Sequence, residues 1–151
     1  MPKKYFFKKI YKKYSNLFPL IVMERLYEPS YDFDILAWKG KLLKAVFRKR
    51  LGAQGINGHI IEFNKKKFLN YAKAIAKGFN LSWLYDLDVM FNKNFEPVLI
   101  ELNPRMSGSV YTSMIAGVPL IDDLISIAKK EFLKIKKIKL KKSKKIISHP
   151  I

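Results

Sequence analysis

Residues 31 to 38 alternate strictly, with Tyr31, Phe33, Ile35 and Ala37 on one side and Asp32, Asp34, Leu36 and Trp38 on the other. Successive side chains of an extended chain point to opposite faces, so this stretch predicts a strand. Lys39-Gly40 is a tight hairpin signal. Lys41 to Arg50 then returns as a second strand, with Arg48 and Arg50 on one face. A second pair lies downstream. Between Ser82 and Phe91, Trp83, Tyr85, Leu87, Val89 and Phe91 alternate with Leu84, Asp86, Asp88 and Met90. Asn92 to Pro97 reads as a hairpin loop, and Val98 to Asn103 comes back antiparallel. In that return strand Leu99, Glu101 and Asn103 share a face, while Val98, Ile100 and Leu102 read as core. Pro104, lacking a backbone donor, ends the ladder. Upstream, the apolar run Leu20 to Leu26 predicts one more strand, with Glu24 and Arg25 at its polar end and a turn at Glu28-Pro29-Ser30.

Period 3.6 appears elsewhere. Phe68, Leu69, Ala72, Ile75, Ala76 and Phe79 recur at helical spacing, with Asn64 as the N-cap and Gly78 near the stop. Tyr5 to Tyr14 mixes lysines with aromatics and predicts a short helix. Ser107 or Ser109 caps another that runs through Met114 and stops at Gly117. Pro119 starts a third, with Asp122 and Asp123 in its first turn, running to about Leu133. Ile60 to Phe63 predicts a short strand. Leu51 to His59 carries Gly52, Gly55 and Gly58 at a spacing that fits neither phosphate-binding glycine fingerprint, so it reads as a loop. Lys134 to Lys145 is a charged tail, either a helix extension or a strand. There is no internal repeat. The expected class is α+β: a mostly antiparallel sheet with helices packed on one face. The expected division is a basic segment over 1–19, one domain over 20–133, and a basic tail over 134–151.

Composition narrows the class. A chain of 151 residues with 49% hydrophobic and 14% aromatic content can bury a core and is not a disordered tract. Cysteine is absent, which excludes disulfides and thiolate metal sites. His59 and His149 are too few for a zinc cluster. No apolar run spans a membrane and no secretory signal opens the chain, so cytoplasm is the expected compartment. The net charge of +18 comes mostly from lysines concentrated at both ends. Such an excess attracts polyanions. No nucleic-acid-reading motif accompanies it, so a solvated lysine-rich surface is expected and nucleic acid is not an expected partner.

The chemistry gathers at Glu101-Leu102-Asn103-Pro104-Arg105. Glu101 and Asn103 point the same way, roughly 6.8 Å apart along the strand. The preceding hairpin brings Asp88, and with it Asp86, beside them. A carboxylate, an amide oxygen and a guanidinium at one strand end suit a divalent metal on a polyphosphate. Mg²⁺ takes oxygen ligands and shares them with phosphate, and Arg supplies bidentate donors. Two aspartates on an otherwise apolar strand are costly if buried unpaired, and a cation would relieve them. The plainer alternatives are a polar strand end with one ion pair and, for Asp86, a lysine partner at the sheet edge.

These elements, in this order, resemble the C-terminal part of an ATP-grasp domain, in the style of carbamoyl-phosphate-synthase-like and biotin-carboxylase-like ligases. The residues that carry the resemblance are Met23-Glu24-Arg25-Leu26, Tyr31-Asp32-Phe33-Asp34-Ile35-Leu36, Lys39-Gly40, Arg48-Lys49-Arg50, Asp88, Glu101 to Arg105, Ser107-Gly108-Ser109 and Gly117-Val118-Pro119-Leu120. It covers residues 20 to 133. It implies an adenine hinge at Glu24, Arg25 and Leu26. Asp88, Glu101 and Asn103 would hold one or two Mg²⁺ (or Mn²⁺) ions on the β- and γ-phosphates of ATP. Arg105, with Arg48 or Arg50, would neutralise the transferring phosphoryl group. Such enzymes phosphorylate a small carboxylate or bicarbonate for attack by an amine. The family's N-terminal substrate domain and most of its lid have no counterpart here. The expectation is therefore part of an ATP-dependent carboxylate–amine ligase, incomplete alone, with a second chain supplying the lid. The alternatives are a non-catalytic fragment or partner subunit retaining the fold, and a basic nucleic-acid-binding module.

Overall fold

The computed structural model describes residues 3–14, 16, 19, 21, 23–52, 58–62, 65–135, 137, 138 and 140–147. Leu20, Gly55, Phe63, the expected helix cap Asn64, and His149 lie outside them.

Six strands form one antiparallel sheet: β1 (Tyr27–Trp38), β2 (Lys41–Leu51), β3 (Gly58–Glu62), β4 (Trp83–Phe91), β5 (Pro97–Asn103) and β6 (Lys144–Ile147). Their order is β5-β4-β1-β2-β3-β6. The β1–β2 hairpin turns where expected, with Lys39 and Gly40 both at positive φ, the backbone that a two-residue hairpin of matching twist requires. Preceding β1 are short helices α1 (Lys3–Tyr5) and α2 (Lys12–Tyr14) flanking a π-helical Phe6–Tyr11. Beyond β3 come α3 (Lys66–Gly78), α4 (Val110–Ile115) and α5 (Leu120–Ala128).

The alternation along β1 divides two cores. Tyr31, Phe33, Ile35 and Ala37 pack with Phe47, Leu87, Val89 and Phe91 against the apolar face of α3, presented by Phe68, Ala72, Ile75 and Ala76. The aromatic rings meet edge-on, Phe33 with Phe47 at 4.6 Å and Tyr31 with Phe68 at 4.9 Å. Such pairs add about 0.5–1.5 kcal/mol each beyond area burial. Leu36, Val46, Ile61 and Leu84 look the other way, onto Val110, Val118, Leu120 and Ile127 of the α4–α5 segment and onto Leu140. Buried Lys44 of β2 pairs there with buried Asp123 of α5, tying helix to sheet. The α+β class and the antiparallel sheet are as expected, but the helices divide between both faces. The reason lies in the strands: Leu36, Val46 and Ile61 make the second face apolar too, and it needs its own cover.

Four local expectations are corrected. Among the described residues of the Leu20–Leu26 run there is no strand, and Ile21 and Met23 are 91% and 70% exposed. β4 turns back directly after Phe91, the partner of Tyr27, so the described residues before Tyr27 lie beyond the last rung that β4 offers. Glu28-Pro29-Ser30 is not a separate turn but a register irregularity inside β1. Gly58 and His59, read as loop, begin β3. The last helix stops at Ala128, where Lys130 enters the left-handed region, and a short 3₁₀ turn, Phe132–Lys134, follows. Of the lysine tail over 134–145, Lys134 closes the 3₁₀ turn and Lys144 and Lys145 open β6, which pairs with β3, while the described residues between them are in neither a helix nor a strand.

Candidate functional site

The polar positions of four strands converge on the second face, at the end of the sheet opposite the β1–β2 turn. Register brings them there. Asp32 lies across from Arg48 on β2 and from Asp88 on β4, and Asp34 lies across from Asp86. On the other side of β4, Asp86 is the partner of Asn103 and Asp88 of Glu101. Because these are cross-strand partners, their side chains leave the same face.

A bulge sets the last of these pairings. Asp88 pairs with Glu101 but Val89 pairs with Leu99, leaving Ile100 as an extra residue. A bulge shifts the phase of alternation by one. Leu99 therefore joins Leu102 at the core, and Ile100 is 45% exposed. This reverses the expected sides of Leu99 and Ile100 while leaving Glu101 and Asn103 on the pocket side.

The resulting pocket, about 390 Å³, is lined by Arg50, Asp86, Asp88, Glu101, Asn103 and Arg105 together with the Ser107-Gly108-Ser109 loop and Tyr111. Arg105 sits at its mouth, largely exposed, with Nη1 3.5 Å from Asp86 Oδ2 and donating to the Met106 carbonyl at 3.1 Å. Ser109 does occupy the position before α4, but its hydroxyl caps no helix N–H. It accepts from Arg48 Nη1 at 2.5 Å instead.

Beneath the pocket lies a buried ionic layer. Arg48 is fully buried. Its guanidinium meets Asp34 at 2.8 Å, Asp32 at 3.3 Å and Asp86 at 3.6 Å. Asp34 also accepts from the Ser113 hydroxyl at 2.7 Å, and Asp32 pairs with His59 Nε2 at 3.0 Å. Of Arg48 and Arg50, the two arginines offered as partners of Arg105 at a phosphoryl group, only Arg50 lines the pocket. Arg48 is a support under its floor.

The electrostatics follow from this layering. Burial pushes the Asp32 carboxyl up, but the hydrogen bonds with His59 and Arg50 and the charges of Arg48 and Arg50 outweigh it and hold it at about 2. Burial raises Asp34 against the pull of Arg48 and Ser113. Asp86 is pushed up to about 6, by burial first and then by the charges of Asp32 and Asp34, with Arg48 opposing. Among the described residues its ion-pair contacts are Arg48 and Arg105, not a lysine at a sheet edge.

The donor set suits a divalent cation. Oxygen atoms of Asp32, Asp86 and Asp88 lie within 4.8 Å of one another. Glu101 and Asn103 add a carboxylate and an amide oxygen on the same face, and hard divalent cations prefer oxygen ligands. Asp86 Oδ1, buried, accepts no hydrogen bond from the described residues. Asp32, Asp34, His59, Ser109 and Ser113 had not been singled out from the sequence as site residues. The signal was present for the two aspartates, since charged residues at alternate positions of an apolar strand require partners. Glu24 and Arg25 are exposed, Leu26 is half-buried, and none of the three lines the pocket.

A family model described as "ATP-grasp in the biosynthetic pathway with Ter operon" matches residues 16–148. Among solved structures, an L-amino acid ligase from Bacillus licheniformis superimposes with a TM-score of 0.51 and 15% identity, over 76% of this chain and 34% of that one. At that identity what is shared is the fold. The chain spans about a third of that ligase's length. No curated protein matches the chain.

Proposed function

Because the chain belongs to the ATP-grasp family, we propose that its acid-lined pocket is the triphosphate half of an ATP site within a carboxylate–amine ligase. The observation that carries this reading is the register of β4 and β5, which pairs Asp88 with Glu101 and Asp86 with Asn103 over one pocket. In this reading Asp88, Glu101 and Asn103 hold Mg²⁺ against the β- and γ-phosphates, and the bound ion supplies neutralising charge there. Arg105 and Arg50 place guanidinium groups at the pocket wall, where they would meet the phosphoryl oxygens bidentately. Arg48, buried below, fixes Asp32, Asp34 and the Ser109 loop so that these groups are aimed before substrate arrives. Charge placed in advance costs no reorganisation when a phosphoryl group moves.

The substrate pair is read no more finely than the class: a small carboxylate activated as its acyl phosphate, then attacked by an amine, releasing ADP and phosphate. A second chain, or a further segment of the same one, would close the cleft. Two observations support that need: Glu24, Arg25 and Leu26 belong to no strand and do not line the pocket, and the chain spans about a third of the structural relative. A half-cleft positions nucleotide poorly. The partner-subunit reading draws on the same two observations, and ADP release separates it from the catalytic one.

Calorimetry tests the core of the proposal. Mg·ATP should bind the protein, and Glu101→Ala should abolish the Mg²⁺-dependent part of that binding. Unchanged Mg·ATP affinity in the variant refutes the assignment of Glu101.

A further inference from the structure

Arg50 already stands among the carboxylates that would bind the cation. Its Nε donates to Asp32 Oδ1 at 2.6 Å and its Nη2 to Asp88 Oδ1 at 2.7 Å. One guanidinium thus ties two of the three carboxylates whose oxygens cluster within 4.8 Å. The third, Asp86, is buried with an oxygen that accepts no hydrogen bond from the described residues, 3.6 Å from Arg48 Nη2. Charge is short at this spot although the whole chain carries +18. Five carboxylates, on Asp32, Asp34, Asp86, Asp88 and Glu101, face three guanidinium groups, on Arg48, Arg50 and Arg105. With every carboxylate ionised and the His59 imidazole beside Asp32 left out of the count, the excess is two negative charges, the charge of one divalent ion.

The two inner arginines differ in freedom. Arg48 is fully enclosed and held by Asp34 and Ser109. Arg50 has a side chain 42% exposed near the end of β2, at the pocket wall. It is the cation that can leave. A small hard ion and a guanidinium compete for the same carboxylate lone pairs.

We propose that Arg50 is the resident counter-ion of Asp32 and Asp88, that a divalent cation bound at Asp88 beside Asp86 and Glu101 takes these two carboxylates over from it, and that the released guanidinium turns to phosphate oxygens in the adjoining pocket. This rests on reading the pocket as a metal–polyphosphate site and adds how that site is regulated. Before loading, Arg50 keeps like charges from repelling. After loading, the same positive charge is handed to the anion. Cation and polyphosphate then assist each other through the protein as well as through direct chelation, and linkage makes the assistance reciprocal.

The test titrates Mn²⁺ into the full chain by calorimetry, without nucleotide, for the wild type, Arg50→Gln, Arg50→Lys and Glu101→Gln. Inorganic tripolyphosphate is then titrated at saturating Mn²⁺. With its competitor removed, Mn²⁺ should bind Arg50→Gln about tenfold tighter, equivalent to about 1.4 kcal/mol. Tripolyphosphate should bind that variant more weakly than wild type. Arg50→Lys should also bind Mn²⁺ more tightly than wild type, because an ammonium lacks the planar fork that bridges two carboxylates. That variant carries the comparison if the Gln variant does not fold. Mn²⁺ affinity in the folded Arg50 variants equal to or below wild type, with binding still lost in Glu101→Gln, overturns the counter-ion role and leaves the metal site standing. Absence of Mn²⁺ binding to every protein overturns both.

Discussion

Replacing Arg48 by Met removes the cation shared by the buried ionic layer. The guanidinium is fully buried and is the ion-pair partner of Asp34 at 2.8 Å, Asp32 at 3.3 Å and Asp86 at 3.6 Å. Methionine fills much of the stem's volume, so little of the loss comes from a cavity. What remains is uncompensated buried charge. Removing one partner of a buried ion pair costs about 3–5 kcal/mol, and Asp34, with no exposed surface, has no water to turn to. Against a total stability of about 5–15 kcal/mol that is a large share. For a chain of this size each kcal/mol moves the midpoint by about 2–4 °C, so the melt should fall by roughly 6–20 °C. Urea unfolding followed by tryptophan fluorescence would measure it, since Trp38 and Trp83 pack edge-on at 5.1 Å across the second face. The loss must also depend on pH. Arg48 favours the ionised carboxylates, so without it Asp34, already raised by burial, rises further and takes a proton. The gap between wild type and variant should therefore be wide at pH 8 and narrow as pH falls. Asp34→Asn added to the variant should recover part of the stability. A loss under about 1 kcal/mol, or an equal loss at pH 8 and pH 5, would refute the reasoning.

Two further outcomes are expected. In the metal-free protein, Asp86, with its folded pKa near 6 against about 4 unfolded, binds its proton more tightly when folded. Its stabilising contribution is thus complete below pH 4 and lost as pH rises through 6, at most about 3 kcal/mol. Asp86→Asn should flatten that slope in melts run with a chelator, and parallel wild-type and variant curves would contradict the assignment. Lys44→Met leaves Asp123 buried and alone, and should cost about 3–5 kcal/mol in guanidinium unfolding. Lys44→Met with Asp123→Leu should restore most of it, and a double variant no better than the single one would show the pair is not the reason.

Strand and helix identities along β1, β2, β4 and α3 were legible because their signal is local. The alternation from Tyr31 to Trp38 states which side is core whatever lies beside it, and the helical spacing after Phe68 does the same. The pairing of Asp88 with Glu101 was legible for a related reason: a short hairpin leaves few ways for β5 to return. Local signal also misled where pairing was the deciding factor. The Leu20–Leu26 run has a strand's composition, yet its described residues lie beyond the last rung that β4 offers. Ile100 looks like core until one counts residues against β4 and finds it surplus.

Sequence by itself determined the class of fold, the acidic pair at the β4–β5 strand ends, and a basic chain in which arginine is rare. Tertiary structure alone decided that β4 lies against β1, and that adjacency adds Asp86 and Asp88 to the Asp32, Asp34 and Arg48 that the β1–β2 hairpin already brings together. It brought Asp32 beside Asp88, residues far apart in the chain, and buried Arg48 while leaving Arg50 at the pocket wall. Periodicity gives the direction of a side chain but not its neighbour across the sheet. Which strands are neighbours is settled by how both apolar faces find cover at once, a property of the whole chain and of no window within it.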